Sequence, residues 1–185
     1  MGRGRFRPYA LSEMTETARE KSNSKKTSNS KKKPTTSYVF PWLHRDVSKA
    51  VSDEVDVKWV NKKGNNKDSN HQYSTNVMGK FTCVNDRCLT HGWSSKSVSI
   101  LIKGYPGNGY NAVIFNQRCK SCNELGNLTL DKESYVERVA YRVKKWAGLR
   151  TEQPYYAGKK GLPHKRELCE GCKRGYCLNR NGLED

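Results

Sequence analysis

Residues 163–177 read PHKRELCEGCKRGYC. Within them His164, Cys169, Cys172 and Cys177 stand with four, two and four residues between successive members. A two-residue gap lets two thiolates converge on one metal through a tight turn, and gaps of four also occur at zinc sites. Upstream, Cys83 and Cys88 are separated by four residues, and Cys119 and Cys122 by two. Seven cysteines plus His164 make eight ligands, enough for two tetrahedral zinc ions with none left over. Randomly placed residues would rarely fall into such groups.

Short loop closure favours one local knuckle of His164, Cys169, Cys172 and Cys177. The other set, Cys83, Cys88, Cys119 and Cys122, would then clamp the two ends of the region between them. A crossed arrangement, with one pair from each end of the domain per ion, is the alternative. His91, three residues after Cys88, is a competing histidine. Zinc also answers a shortage of core. Apolar residues make up 34% of the chain, below the usual share of roughly 45% or more. Structural zinc contributes about 10–16 kcal/mol in short peptides, against a net domain stability of about 5–15 kcal/mol. Stripping the metal is expected to unfold much of residues 75–180.

Outward from the ligands, three stretches favour strands: 75–83, 93–103 and 109–118. Val98, Ile100 and Ile102 alternate with Ser97, Ser99 and Leu101, which predicts one mostly buried face. Between the last two stretches, YPGNGY is a turn by composition. A helix is expected over 132–147, capped by Asp131 or Ser134 and ended by Gly148. Val136, Val139, Ala140, Val143, Trp146 and Ala147 share one face of it. Arg138, Arg142 and Lys145 lie on the other side, as a solvated face or as a surface for nucleic acid or an acidic partner. A loop over 149–162 carries Tyr155 and Tyr156.

Ahead of the sheet, Leu43, Val47, Val51 and Val55 recur every four residues, with Trp59 beyond and Pro41 at the approach. This is a helical stripe. Residues 61–71, NKKGNNKDSNH, read as a polar loop. Residues 1–36 are rich in Lys, Ser, Thr and Asn and cannot bury enough surface to offset their chain entropy. The organisation expected is a disordered basic tail over 1–36, a leader helix and polar loop over 37–72, and a zinc-finger domain over 73–180. The fold class is α+β: a small zinc-stabilised domain with an antiparallel β-sheet, one long C-terminal helix and a cysteine-rich knuckle.

The chain has 35 Lys and Arg against 18 Asp and Glu, a net charge of +17. Residues 1–36 hold ten basic and three acidic residues, or +7, which leaves +10 on the part expected to fold. Such a surplus favours polyanions. No apolar stretch follows the charged N-terminus, and no segment approaches the roughly 18–20 apolar residues of a membrane-spanning helix. The expectation is an intracellular protein, cytoplasmic or nuclear, in a reducing compartment where seven cysteines are poor candidates for disulfides.

Four stretches together resemble the 3CxxC-type zinc-finger family: CVNDRC at 83–88, QRCKSC at 117–122, SYVERVAYRVKKWAG at 134–148, and PHKRELCEGCKRGYC. The Trp42–His44 region is similar to the leader helix of fungal members. The family includes receptor-transporting proteins, which assist delivery of chemosensory receptors, and zygote-arrest proteins, whose zinc region binds RNA. The resemblance implies zinc at Cys83, Cys88, Cys119, Cys122, His164, Cys169, Cys172 and Cys177. Two features depart from the family's pattern. The first pair has four intervening residues rather than two, and the hydrophobic C-terminal anchor typical of receptor-transporting members is not seen.

Two functions follow as expectations. One is an RNA-binding zinc module, using the tail, the Arg138–Arg142–Lys145 stripe, and Tyr155, Tyr156 and Tyr176 as stacking platforms. The other is a protein adaptor or chaperone for a membrane protein in transit. Catalysis is not expected. Eight ligands close two sites, whereas catalytic zinc keeps one position open, and no nucleophile elbow or phosphate loop is present.

Overall fold

Alternating residues build the centre of a sheet. The computed structural model describes residue 1 and residues 33–51, 55–61, 69–152 and 164–178. Among these, six strands pair: β1 (Ser37–Tyr38), β2 (Lys58–Trp59), β3 (His71–Cys83), β4 (Gly92–Tyr105), β5 (Gly109–Phe115) and β6 (Gly126–Leu130). Their order is β1-β5-β4-β3-β6, antiparallel throughout, with β2 parallel to the start of β5. The chain divides into two units, Met1–Lys32 and Lys33–Asp185. The tail reading falls almost entirely outside the described residues, as do Tyr155 and Tyr156.

The expected strands are present with shifted ends. β3 begins at His71, four residues earlier than the alternation suggested, so the end of the polar stretch is strand. β5 stops at Phe115, because Asn116–Arg118 leave the sheet and Gln117 bridges Cys169 instead. The turn between β4 and β5 is made by Gly107 and Asn108, both with positive φ, as glycine and asparagine permit. β6 was not expected: its five residues, GNLTL, carry too few apolar side chains to read as a strand alone. It forms because β3 offers it an edge, pairing Phe81 with Leu128.

Helix α1 (His44–Val51) follows a 3-10 turn, Pro41–Leu43. The stripe of four-residue spacing therefore holds for Leu43, Val47 and Val51 but not beyond. Val55 lies past the helix and Trp59 is in β2. Helix α2 (Lys132–Trp146) starts where Asp131 accepts a hydrogen bond from the Ser134 amide at 2.8 Å, and Gly148 follows it with φ of 76°. Val47 and Val51 of α1 join Tyr135, Val139 and Val143 of α2 against Val77, Ile100, Ile102, Tyr110 and Ile114 of the sheet.

The prediction of one buried sheet face is incomplete. Ser99 is also fully buried, because the C-terminal knuckle lies over it. The Ser99 hydroxyl donates to the Tyr176 carbonyl at 3.0 Å. A Cβ on Gly171 would sit 2.5 Å from the Ser99 Cβ, so only glycine fits that approach. Helices cover one face of the central strand and the knuckle covers the other.

Candidate metal centres

The first ligand set is assembled by a strand end and two turns. Cys83 ends β3, and its amide donates to the His91 carbonyl at 3.0 Å. Asn85 tightens the four-residue gap: its side chain accepts from the Arg87 amide and its carbonyl from the Cys88 amide, each at 3.0 Å. The longer spacing is thus closed by an Asx turn. Cys119 and Cys122 sit on a turn in which the Asn123 amide returns to the Cys119 carbonyl at 2.9 Å. The second set is built on α3 (Glu170–Lys173). Gly175, with φ of 77°, returns its amide to the Cys172 carbonyl and reverses the chain toward Cys177.

Cys83, Cys88, Cys119 and Cys122 bring their sulfurs within 4.8 Å of one another, and so do the ligand atoms of His164, Cys169, Cys172 and Cys177. The local partition therefore holds and the crossed one does not. His91 is exposed and belongs to neither set. Sulfurs at tetrahedral positions about 2.3 Å from a zinc ion are separated by about 3.8 Å. The Cys83–Cys122 and Cys88–Cys119 sulfurs are 3.5 and 3.7 Å apart. His164 Nε2 lies 3.2 Å from Cys172 Sγ and 3.6 Å from Cys177 Sγ. These separations are too long for disulfides and right for ligands sharing an ion. All seven cysteines are free.

Burial and crowding shift the thiols of both sets. Burial pushes the Cys83 thiol up to about 12, helped by the thiols of Cys122, Cys119 and Cys88 and opposed by the backbone at Asn85. Burial, with Cys177 beside it, carries Cys172 up to about 11. Cys119 moves the other way, to about 7: burial raises it, but hydrogen bonds from the Ser121 and Cys122 backbone and the thiols of Cys122 and Cys88 outweigh that. Crowded thiols resist ionising together, and a divalent cation among them reverses the balance.

The family model for the 3CxxC zinc ribbon, described as a zinc-binding domain, matches residues 76–175, more than half of the chain. The chain belongs to this family. Neither a curated protein nor a solved structure matches it. The matched stretch stops just short of Cys177, which the geometry adds as the last ligand of the second set. The 3CxxC domain's two ligand sets, one of four cysteines and one of three cysteines and a histidine, fit two zinc ions. Among the described residues no helix is long and apolar enough to cross a membrane.

The residues expected to meet nucleic acid separate. Arg142 lies over the Tyr73 ring, its guanidinium carbon 3.1 Å from the centroid. The Arg138 side chain is only 11% exposed. Lys145 alone of the three is exposed. Tyr176 is half-buried and stacked on Phe115, with centroids 5.6 Å apart. These side chains reach back over the domain because their long apolar stems and rings bury on it. The stripe is therefore not one open basic face.

A groove of about 960 Å³ runs instead from Thr90 and Lys120, beside the first ligand set, to His164 and Lys165 at the second. Lys80, Lys96, Lys120 and Lys165 line it, are exposed, and make no ion pair among the described residues. Trp93 forms part of its wall. Sequence reasoning overlooked these residues, although signals existed. Lys80 alternates with buried Gly79 and Phe81, while Lys120 and Lys165 directly follow the ligands Cys119 and His164.

Proposed function

We propose that this 3CxxC protein is a non-enzymatic RNA-binding module whose zinc ions are structural. The observation that carries the reading is charge: +17 over the chain, of which +10 lies beyond residue 36. Phosphates neutralise such a surplus, and the resulting affinity weakens with salt. Each ligand set supplies four protein atoms, which fills a tetrahedron, whereas catalytic zinc keeps a position for water or substrate. The same reading places the protein's work in the cytoplasm or the nucleus.

One observation favours a second reading, a protein adaptor. Trp42 is 68% exposed, held edge-on against Phe40 beside exposed Val39. A single experiment separates the two. RNA is crosslinked to the protein in its own cells, recovered under denaturing conditions and sequenced. A chain carrying His164→Ala and Cys169→Ser serves as the control. Enriched RNA that disappears in the control is the expected result. RNA that persists in the control would assign binding to the basic N-terminal residues. No RNA at all would overturn the reading and leave the adaptor.

A further inference from the structure

Resting on that RNA reading, we propose that the groove between the two ligand sets is the binding site, and that it takes single-stranded RNA with a base stacked on Trp93. The charge around the groove is predominantly positive. Lys80, Lys96, Lys120 and Lys165 have no acidic partner among the described residues. Two acids lie along the groove: Asp131 is engaged as the α2 cap, and exposed Glu133 is outnumbered four to one by these lysines. Four cations spread along a groove match a chain of phosphates better than one compact anion.

Trp93 supplies what a duplex cannot use. Its ring is stacked on Phe81, with centroids 5.1 Å apart and planes at 9°. Its Nε1 donates to Gln117 Oε1 at 3.3 Å, and Gln117 is held in turn by the Ser95 hydroxyl and the Ser97 carbonyl. The edge of the ring abuts Gly126, where any Cβ would come within 2.8 Å of the indole. The indole is therefore fixed before a ligand arrives, and stacking on it costs little conformational entropy. A base can stack there only if it has left its own helix, so the aromatic wall selects a single strand. Trp93 also packs against the first cysteine cluster, and Lys120 and Lys165 each adjoin a ligand. Both ends of the groove are thus set by metal-binding turns.

The test uses the full zinc-loaded chain and measures fluorescence anisotropy of labelled oligouridine, oligoadenosine and an RNA duplex over a salt series. Combining Lys80→Gln, Lys96→Gln, Lys120→Gln and Lys165→Gln is expected to weaken single-strand binding at least roughly tenfold. It should also flatten the log–log salt dependence by about 2.8, at about 0.7 for each phosphate that is no longer neutralised. Trp93→Leu should weaken binding by roughly tenfold without changing that slope. Lys49→Gln with Lys58→Gln, which lie outside the groove, should leave binding intact. A cooperative thermal transition at the temperature of the unaltered chain checks that each variant is folded, and the lysine variant tests the site even if Trp93→Leu misfolds. Unchanged RNA binding in a folded lysine variant would overturn the groove and leave the RNA reading standing. Equal affinity for the duplex would overturn the single-strand assignment. No RNA binding by the unaltered chain would remove the RNA reading itself. Loss in the lysine variant of binding to an acidic peptide, with RNA unaffected, would make the groove a protein-docking site.

Discussion

Gly171 is where the second metal centre meets the sheet. It sits between Glu170 and the ligand Cys172, and its bare Cα faces the Ser99 side chain. An alanine methyl would fall 2.5 Å from Ser99 Cβ and 2.6 Å from its hydroxyl, closer than packed atoms come. Both partners lie on backbone that is fixed, one in β4 and the other in the knuckle, so the clash cannot be relieved by rotating a side chain. Overpacking of this kind costs about 1–3 kcal/mol. Gly171→Ala is therefore expected to lower the unfolding temperature of the zinc-loaded chain, and Ser99→Gly in the same chain should recover part of the loss. An unchanged unfolding temperature would mean that the knuckle rides free of the sheet. Nothing in the sequence marks this contact, because the two residues are remote in the chain and each looks ordinary alone. The ligands were legible for the opposite reason: cysteine chemistry and short spacing are local properties.

At the scale of elements, what could be read was whatever carried its own periodicity or cap. Helix α2 has an apolar face, an Asp131 cap and a terminal glycine, and it lies within a residue of its expected span. β6 and the two-residue strands β1 and β2 were hidden, since each depends on a partner edge that only the folded sheet provides. β1 is further tied by Asn116, whose side-chain amide donates to the Thr35 carbonyl at 2.7 Å. The leader segment is an integral part of the core. Leu43, Val47, Val51 and Val57 are buried among residues of the sheet and α2, though all four precede the family match. Burying four such side chains stabilises by about 6–12 kcal/mol as an upper estimate, comparable with the whole net stability of a domain, about 5–15 kcal/mol. A chain beginning at residue 69 keeps all eight ligands, yet it is expected to bind zinc without a cooperative thermal transition and to bind a hydrophobic dye. If that chain unfolded at the temperature of the full protein, the leader would be dispensable.

Across the whole molecule the two metal centres share one piece of backbone. Asn116–Cys122 supplies Cys119 and Cys122 to the first set, and the same segment is laced to the second. The Glu170 amide donates to the Asn116 carbonyl at 3.0 Å, and the Arg118 amide to the Leu168 carbonyl at 2.8 Å. Gln117 bridges Cys169. The Arg118 guanidinium reaches Glu170 at 2.6 Å, and Lys173 joins it at 3.2 Å. Burial raises the Glu170 carboxyl, but these two cations outweigh it and hold the group below the usual carboxylate range. Glu170 is the buried member, and a buried carboxylate left without its cations is destabilising. Metal lost from the second set would release 168–170 and, with it, the segment that positions Cys119. The sites should therefore be coupled, and coupling between sites is typically worth about 1–3 kcal/mol, or 5–150-fold in affinity. Cys172→Ser removes a ligand from the second set and touches none of the first. We expect it to weaken zinc binding at the first set by roughly tenfold, measured by chelator competition with cobalt absorption reporting the four-cysteine site. Linkage is reciprocal, so Cys122→Ser should weaken the second set by a similar factor. Affinities at either set that ignore the state of the other would show that the shared segment holds its shape without help from both metals.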